Sequence, residues 1–113
     1  MVDPTPFRRP VNWQQLRASD AERIIRERAK NTNNVTIIGH PEERSVERDI
    51  LPPDIYRILQ EGFVFAEPVK NEHGDWEAVI QKRMKGTRDA GAATIIVRDD
   101  NSLIVKTVMW MDK

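Results

Sequence analysis

The chain has 113 residues, enough for one domain with a modest core. Its 18 basic and 18 acidic residues balance to zero net charge, so it lacks the strongly basic character of a free nucleic-acid binder. The absence of cysteine excludes disulfides, thiolate chemistry and cysteine-based zinc sites, and it fits a cytoplasmic protein. No stretch has the length of a membrane span or the features of an export signal, so we expect no membrane contact.

The first third of the chain predicts an arm, a helix and a short strand. Residues 1–12 contain three of the seven prolines and show no periodicity, which indicates a flexible N-terminal arm. Ser19 and Glu22 have the spacing of a capping box, and apolar residues at helical spacing follow them. The β-branched run at residues 35–38 predicts a strand.

A second apolar helix is predicted between Pro53 and Gly62. Proline suits the first helical turn, and glycine commonly ends a helix. Between them Ile55, Ile58 and Leu59 share one face, which predicts an ordinary core helix.

The second half of the chain predicts strands. The polar loop at residues 85–91 and the turn at residues 99–102 separate apolar, alternating runs. Helices followed by strands predict one α+β domain over residues 13–113, with an antiparallel sheet of four to five strands and three helices packed mainly on one face. The predicted strands cover residues 63–69, 75–84, 92–98 and 103–110, and the expected core includes Ile24, Ile25, Ile55, Leu59, Ile80, Ile95 and Val105.

A polar stretch between these elements predicts the third helix. His40, Arg44 and Arg48 fall within about 80° of one another on an α-helix, and Glu47 lies in the same stripe. Only one residue between Pro41 and Asp49 is apolar, so burial alone does not explain this helix. The cationic stripe with a histidine at its N-terminal end suggests a functional surface.

The stretch resembles the signature of the family catalogued as domain of unknown function 4258. That signature has a His, then Arg, Glu, Arg and an aliphatic residue at fixed spacing, then a helix ending in Gly. The resemblance covers roughly residues 20–110, and Asp49 stands where the family usually has Gly. The matching positions are His40, Arg44, Glu47, Arg48 and Ile50, then Ile55, Ile58, Leu59 and Gly62, and finally Trp76 and residues 103–107.

The resemblance implies a toxin-like function by analogy of fold. In its order of elements the family is similar to bacterial toxins of the RelE/ParE and MqsR type, which are compact α+β proteins. Several of those toxins cleave messenger RNA at the ribosome. The resemblance therefore implies a RelE-like endoribonuclease, with RNA or the ribosome and an antitoxin protein as partners.

The residue types of the stripe suit metal-independent RNA cleavage. His40 could act as base or acid because histidine titrates near neutral pH, and Arg44 and Arg48 could grip phosphate oxygens. Glu47 could orient His40 or Arg44. Alternatively, the arginines pair with Glu43 and Glu47 on a solvated face and His40 only caps the helix. The same face, with an open sheet edge, could then serve a non-catalytic protein-binding module.

The densest basic cluster lies at the end of a predicted strand and in the loop after it. It could follow an RNA backbone, or it could be a solvated strand end. The two glycines of the loop would let it move. The predicted RNA-binding residues are Lys82, Arg83, Lys85 and Arg88.

The remaining histidine and tryptophans predict no further chemistry. His40 and His73 lack metal-ligand spacing, so we predict no metal site. With no phosphate-binding glycine loop or nucleophile elbow, we also predict no cofactor. Trp76 and Trp110 are expected to be core or edge-covering aromatics, whereas Trp13 is a candidate for a partner contact.

Overall fold

A computed structural model describes residues 11–38, 50–84, 86 and 88–111 of the chain. Within them, two α-helices cover one face of a six-stranded sheet. The predicted α+β class and the placement of helices on one face are therefore confirmed. No helix among the described residues is long and apolar enough to cross a membrane. The elements are α1 (Ala18–Ala29), a 3-10 turn (Thr32–Asn34), β1 (Val35–Ile37), α2 (Pro52–Glu61), β2 (Phe63–Val64), β3 (Val69–Lys70), β4 (Trp76–Arg83), β5 (Asp89–Ile96) and β6 (Leu103–Trp110).

The start of α1 differs from the predicted capping box. Arg17 is the N-cap, and its backbone N–H donates to the carboxylate of Asp20 at 3.4 Å. Ser19 lies inside the helix, and the Glu22 carboxylate accepts from the backbone N–H of Val64 at 2.9 Å. The predicted pair is wrong because the N-cap lies two residues before Ser19 and because the Glu22 carboxylate binds the sheet.

Helix α2 ends at the predicted glycine, but for a different reason from the one predicted. Gly62 has φ −80°, which is open to any residue, and its N–H donates to the carbonyl of Ile58 at 2.8 Å. A Cβ at this position would lie 2.5 Å from the carbonyl oxygen of Ile58 and 2.8 Å from that of Gln81. Glycine is therefore required by the close approach of the chain to β4.

The sheet is mixed, with strand order β1-β6-β5-β4-β2 and β3 also paired to β4. The predicted strand at residues 35–38 does join the sheet, but β1 runs parallel to β6. The predicted antiparallel sheet of four to five strands is therefore wrong in number, and wrong in direction at this one pair, because the other described pairs are antiparallel as predicted. The predicted strand 63–69 forms two short strands because the four residues between them, at 65–68, face only two residues of β4. The predicted third helix falls at residues 40–49, outside the described residues.

Strand β5 begins earlier than predicted. Asp89 already pairs with Arg83, so Gly91 lies inside the strand rather than in a mobile loop. A Cβ on Gly91 would lie 2.5 Å from the sulfur of Met111, so the glycine provides space for a neighbouring side chain. The prediction that Gly91 lets the loop move is wrong, because the buried residues Ala90 and Ala92 continue the alternation of the strand.

The core lies between the helices and one face of the sheet. Six of the seven residues expected in it are buried, but Ile95 is only half-buried. Its neighbours Thr94 and Ile96 on β5 are fully buried, so alternation turns Ile95 to the other face of the sheet. The confirmed core residues are Ile24, Ile25, Ile55, Leu59, Ile80 and Val105.

Arg28 joins α1 to the hairpin between β5 and β6. Its Nη1 donates to the carbonyl oxygens of Val97 at 2.6 Å and Ser102 at 3.1 Å. Burial lowers the pKa of Arg28, and the nearby charge of Asp100 opposes this shift. The guanidinium is thus a structural link that satisfies two carbonyls at the end of the hairpin.

The three tryptophans pack against the core. Trp76 and Trp110 are half-buried beside it, as predicted. Trp13 is also half-buried, and its carbonyl accepts a hydrogen bond from Trp76 Nε1 at 2.7 Å. Packing within the chain therefore accounts for the position of Trp13, and the expected partner contact is not needed to explain it.

Candidate functional site

The four predicted catalytic residues lie outside the described residues. The prediction that these side chains share one surface therefore stays a prediction for His40, Arg44, Glu47 and Arg48. The described chain resumes at Ile50, the aliphatic residue that closes the signature, and this side chain is buried. Its position fixes where the polar stretch joins the fold.

Ile50 lines a cavity of about 480 Å³ between α2 and the ends of β4 and β6. One wall is apolar, and the other carries charged side chains. The cavity thus brings the end of the signature together with the start of the basic cluster, which are about thirty residues apart in the chain. The lining residues are Ile50, Asp54, Arg57, Glu61, Lys82, Arg83, Met84 and Trp110.

Two of the predicted RNA-binding residues reach this cavity, and both are paired with carboxylates. Lys82 Nζ lies 3.4 Å from Glu61 Oε1, and Arg83 Nε lies 3.2 Å from Asp89 Oδ1. Adjacent residues of a strand point to opposite faces, so the two cations approach the cavity from either side of the end of β4. Their charge is already partly neutralised within the fold.

Arg57 is the cation that sequence reasoning missed. It is exposed on α2, and its side chain makes no hydrogen bond or ion pair within the described part of the chain. At helical spacing its natural partners are Asp54 and Glu61, which would have marked it as an ordinary surface residue. The structure uses both elsewhere: Asp54 accepts from the backbone N–H of Leu51 at 3.1 Å, and Glu61 pairs with Lys82.

Trp110 brings a third member of the basic cluster to the rim of the cavity. The guanidinium carbon of Arg88 lies 4.1 Å from the centre of the Trp110 ring, which is a close cation–π contact. Lys85, the fourth predicted RNA-binding residue, lies outside the described residues. The basic cluster therefore provides Lys82 and Arg83 as residues of the cavity wall. Its third member, Arg88, packs against the aromatic residue of that wall.

The lining suits a small anion attached to a flat apolar group. The described lining has three cations and two carboxylates, and Asp89 adds a third carboxylate by pairing with Arg83, so these charges balance. Among the described residues, Arg57 is the cation of the lining that has no ion pair. A guanidinium can bind two phosphate oxygens at once, and a tryptophan ring can stack on a nucleobase. A nucleotide combines these two chemical features.

His73 lies far from this cavity. It belongs to the turn before β4, its side chain is 78% exposed, and its nearest acidic partner is Glu72 at 3.7 Å. Lys82 is near the other end of the eight-residue strand, and a strand of that length spans about 25 Å. Since the chain has two histidines, an imidazole at the cavity can come only from His40. Across the described ranges, no group of three or more His, Asp or Glu residues is arranged to hold a metal ion.

One edge of the sheet is closed by side chains of α1. Glu22 accepts from the backbone N–H of Val64, and Arg26 Nε donates to the carbonyl of Gly62 at 2.8 Å. The same guanidinium lies 4.9 Å from the ring centre of Phe63. These contacts occupy the N–H of Val64 and the carbonyl of Gly62, so β2 offers fewer free backbone groups to a partner strand.

No protein-family model, curated protein or solved structure matches this chain. The family resemblance therefore depends on the signature residues themselves.

Proposed function

We propose that the protein is a RelE-like toxin-type endoribonuclease that cleaves messenger RNA by metal-independent general acid/base chemistry. The observation that supports this proposal is the cavity where Ile50, at the end of the signature, meets Arg57 and Lys82. In a neutral protein, a local excess of positive charge is the electrostatic route to a polyanion. The guanidinium of Arg57, which forms no ion pair within the described part of the chain, is the cation that the proposal assigns to a phosphate, beside the aromatic ring of Trp110.

The proposed reaction uses the 2′-oxygen of the substrate as nucleophile. His40 either takes the 2′-hydroxyl proton while water protonates the leaving 5′-oxygen, or protonates that oxygen itself while water takes the 2′-proton; Glu47 orients His40. Attack of the 2′-oxygen on phosphorus breaks the bond to the 5′-oxygen and leaves a 2′,3′-cyclic phosphate and a 5′-hydroxyl. Arg44 and Arg48 stabilise the charge that develops on the phosphoryl oxygens. Arg57 holds a flanking phosphate, and a base displaces the guanidinium of Arg88 from the ring of Trp110 in order to stack on it.

A toxin of this type would act with the ribosome and be held inactive by an antitoxin protein. A small reading frame next to the gene, whose product binds this chain, would support that part of the proposal. Co-expression of the two products should suppress any toxicity of the chain.

The binding step is tested by measuring the affinity for single-stranded RNA against salt concentration. Arg57→Ala should weaken binding and reduce the slope of log affinity against log salt by about 0.7, because one phosphate contact is lost. Arg23→Ala is the matched control, since it removes the same charge from α1, where Arg23 lies 3.6 Å from Asp20. Wild-type affinity that does not change with salt would contradict the proposal.

The second candidate function is a non-catalytic protein-binding module that uses the His40–Arg48 helix face and a sheet edge. The ion pairs of Lys82 and Arg83 favour it, because they reduce the charge available to RNA. Under this alternative the wild type shows no salt-dependent RNA affinity and no cleavage. The salt titration therefore distinguishes the two functions.

A further inference from the structure

Glu61 occupies a position that helix stability does not explain. It is the last residue of α2, where the partial negative charge of the helix end disfavours a carboxylate, and the last turn of this described helix contains no basic residue. Its partner is Lys82 on β4, whose Nζ lies 3.4 Å from Oε1, beyond the usual range of about 2.7–3.2 Å for a hydrogen bond. The Glu61 side chain is 57% exposed, so its carboxylate is open to a ligand in the cavity.

The register of the strands places Lys82 and Trp110 on the same side of the sheet. Both residues pair with Ala90 of β5, Lys82 from β4 and Trp110 from β6. Their backbones are therefore about 10 Å apart, which is two strand spacings, with one small side chain between them. The aromatic ring and the ion pair of Lys82 with Glu61 thus belong to the same end of the cavity.

Arg57 and Glu61 lie one turn apart on α2. Side chains at this spacing share a face of the helix, with about 6 Å between their Cβ atoms. Both line the cavity, and Arg57 is the cation that the proposed function assigns to a phosphate. In a nucleotide the sugar separates the phosphate from the base. The carboxylate of Glu61 is therefore suited to the base of that nucleotide, because it would repel the phosphate.

A carboxylate beside an ammonium group matches one nucleobase better than the others. Glutamate offers two acceptor oxygens, and lysine offers only donors. The Watson–Crick edge of guanine presents the O6 acceptor beside two donors, N1–H and the N2 amino group. Adenine and cytosine each present one amino donor beside a ring-nitrogen acceptor, and uracil presents one N–H donor between two carbonyl acceptors. Guanine is therefore the base that can use both carboxylate oxygens and the ammonium group at once.

We propose that the cavity selects guanine, with Glu61 accepting from N1–H and the N2 amino group and Lys82 donating to O6. This inference rests on the proposed function, because it identifies the base that stacks on Trp110. Asp54, the second carboxylate of the described lining, already accepts from the backbone N–H of Leu51 at 3.1 Å. Glu61 is therefore the residue that determines the base specificity.

Binding of 2′-deoxy hexanucleotides tests the proposal without cleavage, because these probes lack the nucleophilic 2′-oxygen. Each probe is a run of deoxyuridine in which one central base is replaced by guanine, hypoxanthine or adenine, and filter binding measures its affinity. Hypoxanthine differs from guanine only in lacking the N2 amino group. We expect the guanine probe to bind about tenfold more tightly than the hypoxanthine probe, and the adenine probe to bind more weakly still, because the bidentate contact is lost in steps.

Glu61→Gln tests the role of the carboxylate, and Asp54→Asn is the matched control because it removes the same charge from the same lining. Loss of a negative charge alone raises the affinity for every probe alike, so Asp54→Asn should keep the preference for guanine. Glu61→Gln should instead reduce the preference for guanine over adenine about tenfold, because the bidentate acceptor is lost.

Three results would overturn the proposal, and they separate it from the proposed function. Equal affinities for the three probes, or an unchanged guanine preference in Glu61→Gln, would refute the role of Glu61 while RNA binding at the cavity still stood. If no probe bound with an affinity that depends on salt, the RNA site itself would be refuted and the base specificity with it.

Discussion

Replacing Gly62 by alanine tests the account of how α2 is fixed against the sheet. The new Cβ would lie 2.5 Å from the carbonyl oxygen of Ile58, 2.8 Å from that of Gln81 and 2.9 Å from Cγ1 of Ile80. Two of these three atoms are backbone, so a side-chain rotation cannot relieve the contacts. The junction between α2 and β2 must therefore move away from β4. This movement disturbs the packing of Ile80, which is fully buried in the core.

The expected cost follows from the geometry of these contacts. Overpacking a well-packed site typically costs about 1–3 kcal/mol, and contact with backbone on two sides places this substitution at the upper end, about 3 kcal/mol. With about 2.1 cal/mol/K of unfolding entropy per residue, a chain of 113 residues loses about 4 °C of Tm per kcal/mol. Gly62→Ala should therefore lower the Tm by about 12 °C.

Urea unfolding followed by circular dichroism measures the loss of unfolding free energy. The control variant is Gly74→Ala. Gly74 has φ +87° and open space around it, so alanine there should cost only the strain of a left-handed conformation, about 1 kcal/mol. A loss of unfolding free energy below about 1 kcal/mol in Gly62→Ala, or below that of the control, would contradict this account. It would mean that the close approach of the chain to β4 is not what requires a glycine here.

Three further outcomes follow from other contacts. Arg28→Met should lower the unfolding free energy by about 2 kcal/mol because two carbonyls lose a charged donor, whereas the more exposed Arg23→Met should cost less than about 0.5 kcal/mol in the same urea titration. Hydrogen bonds from Ser102 lower the pKa of Asp100, so its contribution to stability is present above its ordinary pKa of 3.8 and is lost as the pH falls through the lowered value. Asp100→Asn should therefore flatten the acid side of a stability–pH profile. Trp110→Ala should weaken RNA affinity about tenfold in a filter-binding assay, because a stacking surface is lost.

The helices and hairpins were predictable because local signals determine them. The apolar spacing from Ala21 to Ala29 places α1, and the polar turn at residues 99–102 separates β5 from β6 with the predicted start at Leu103. The position of Gly62 was also predictable, although its physical reason depends on a strand twenty residues away. Local patterns thus gave the positions of elements but not the contacts between them.

Long-range pairing was not predictable from these patterns. Nothing in the short run Val35–Ile37 indicates that its neighbour is the last strand or that the two run parallel. For Ile95, alternation along β5 was visible, but which set of residues faces the helices depends on burial of Ala92 and Thr94. An isolated strand does not contain that information.

The cavity illustrates the same limit for the candidate site. The basic cluster was visible as a run of charges, but the carboxylates that pair with Lys82 and Arg83 come from other positions of the fold. Arg57 was overlooked because it has acidic neighbours at helical spacing, which suggested that its charge was paired. In the structure those carboxylates make other contacts. Whether a cation is available to a ligand depends on tertiary pairing.

The proposed function is cleavage of messenger RNA through His40. Its most direct test is induced expression in a bacterium, with growth followed and transcript ends mapped for the wild type, His40→Ala and His73→Ala. The exposed His73, at the far end of β4, is the matched control for loss of an imidazole. We predict that the wild type and His73→Ala arrest growth and cut transcripts, and that His40→Ala does neither. Intact transcripts with the wild type, or equal cleavage by His40→Ala, would contradict the account.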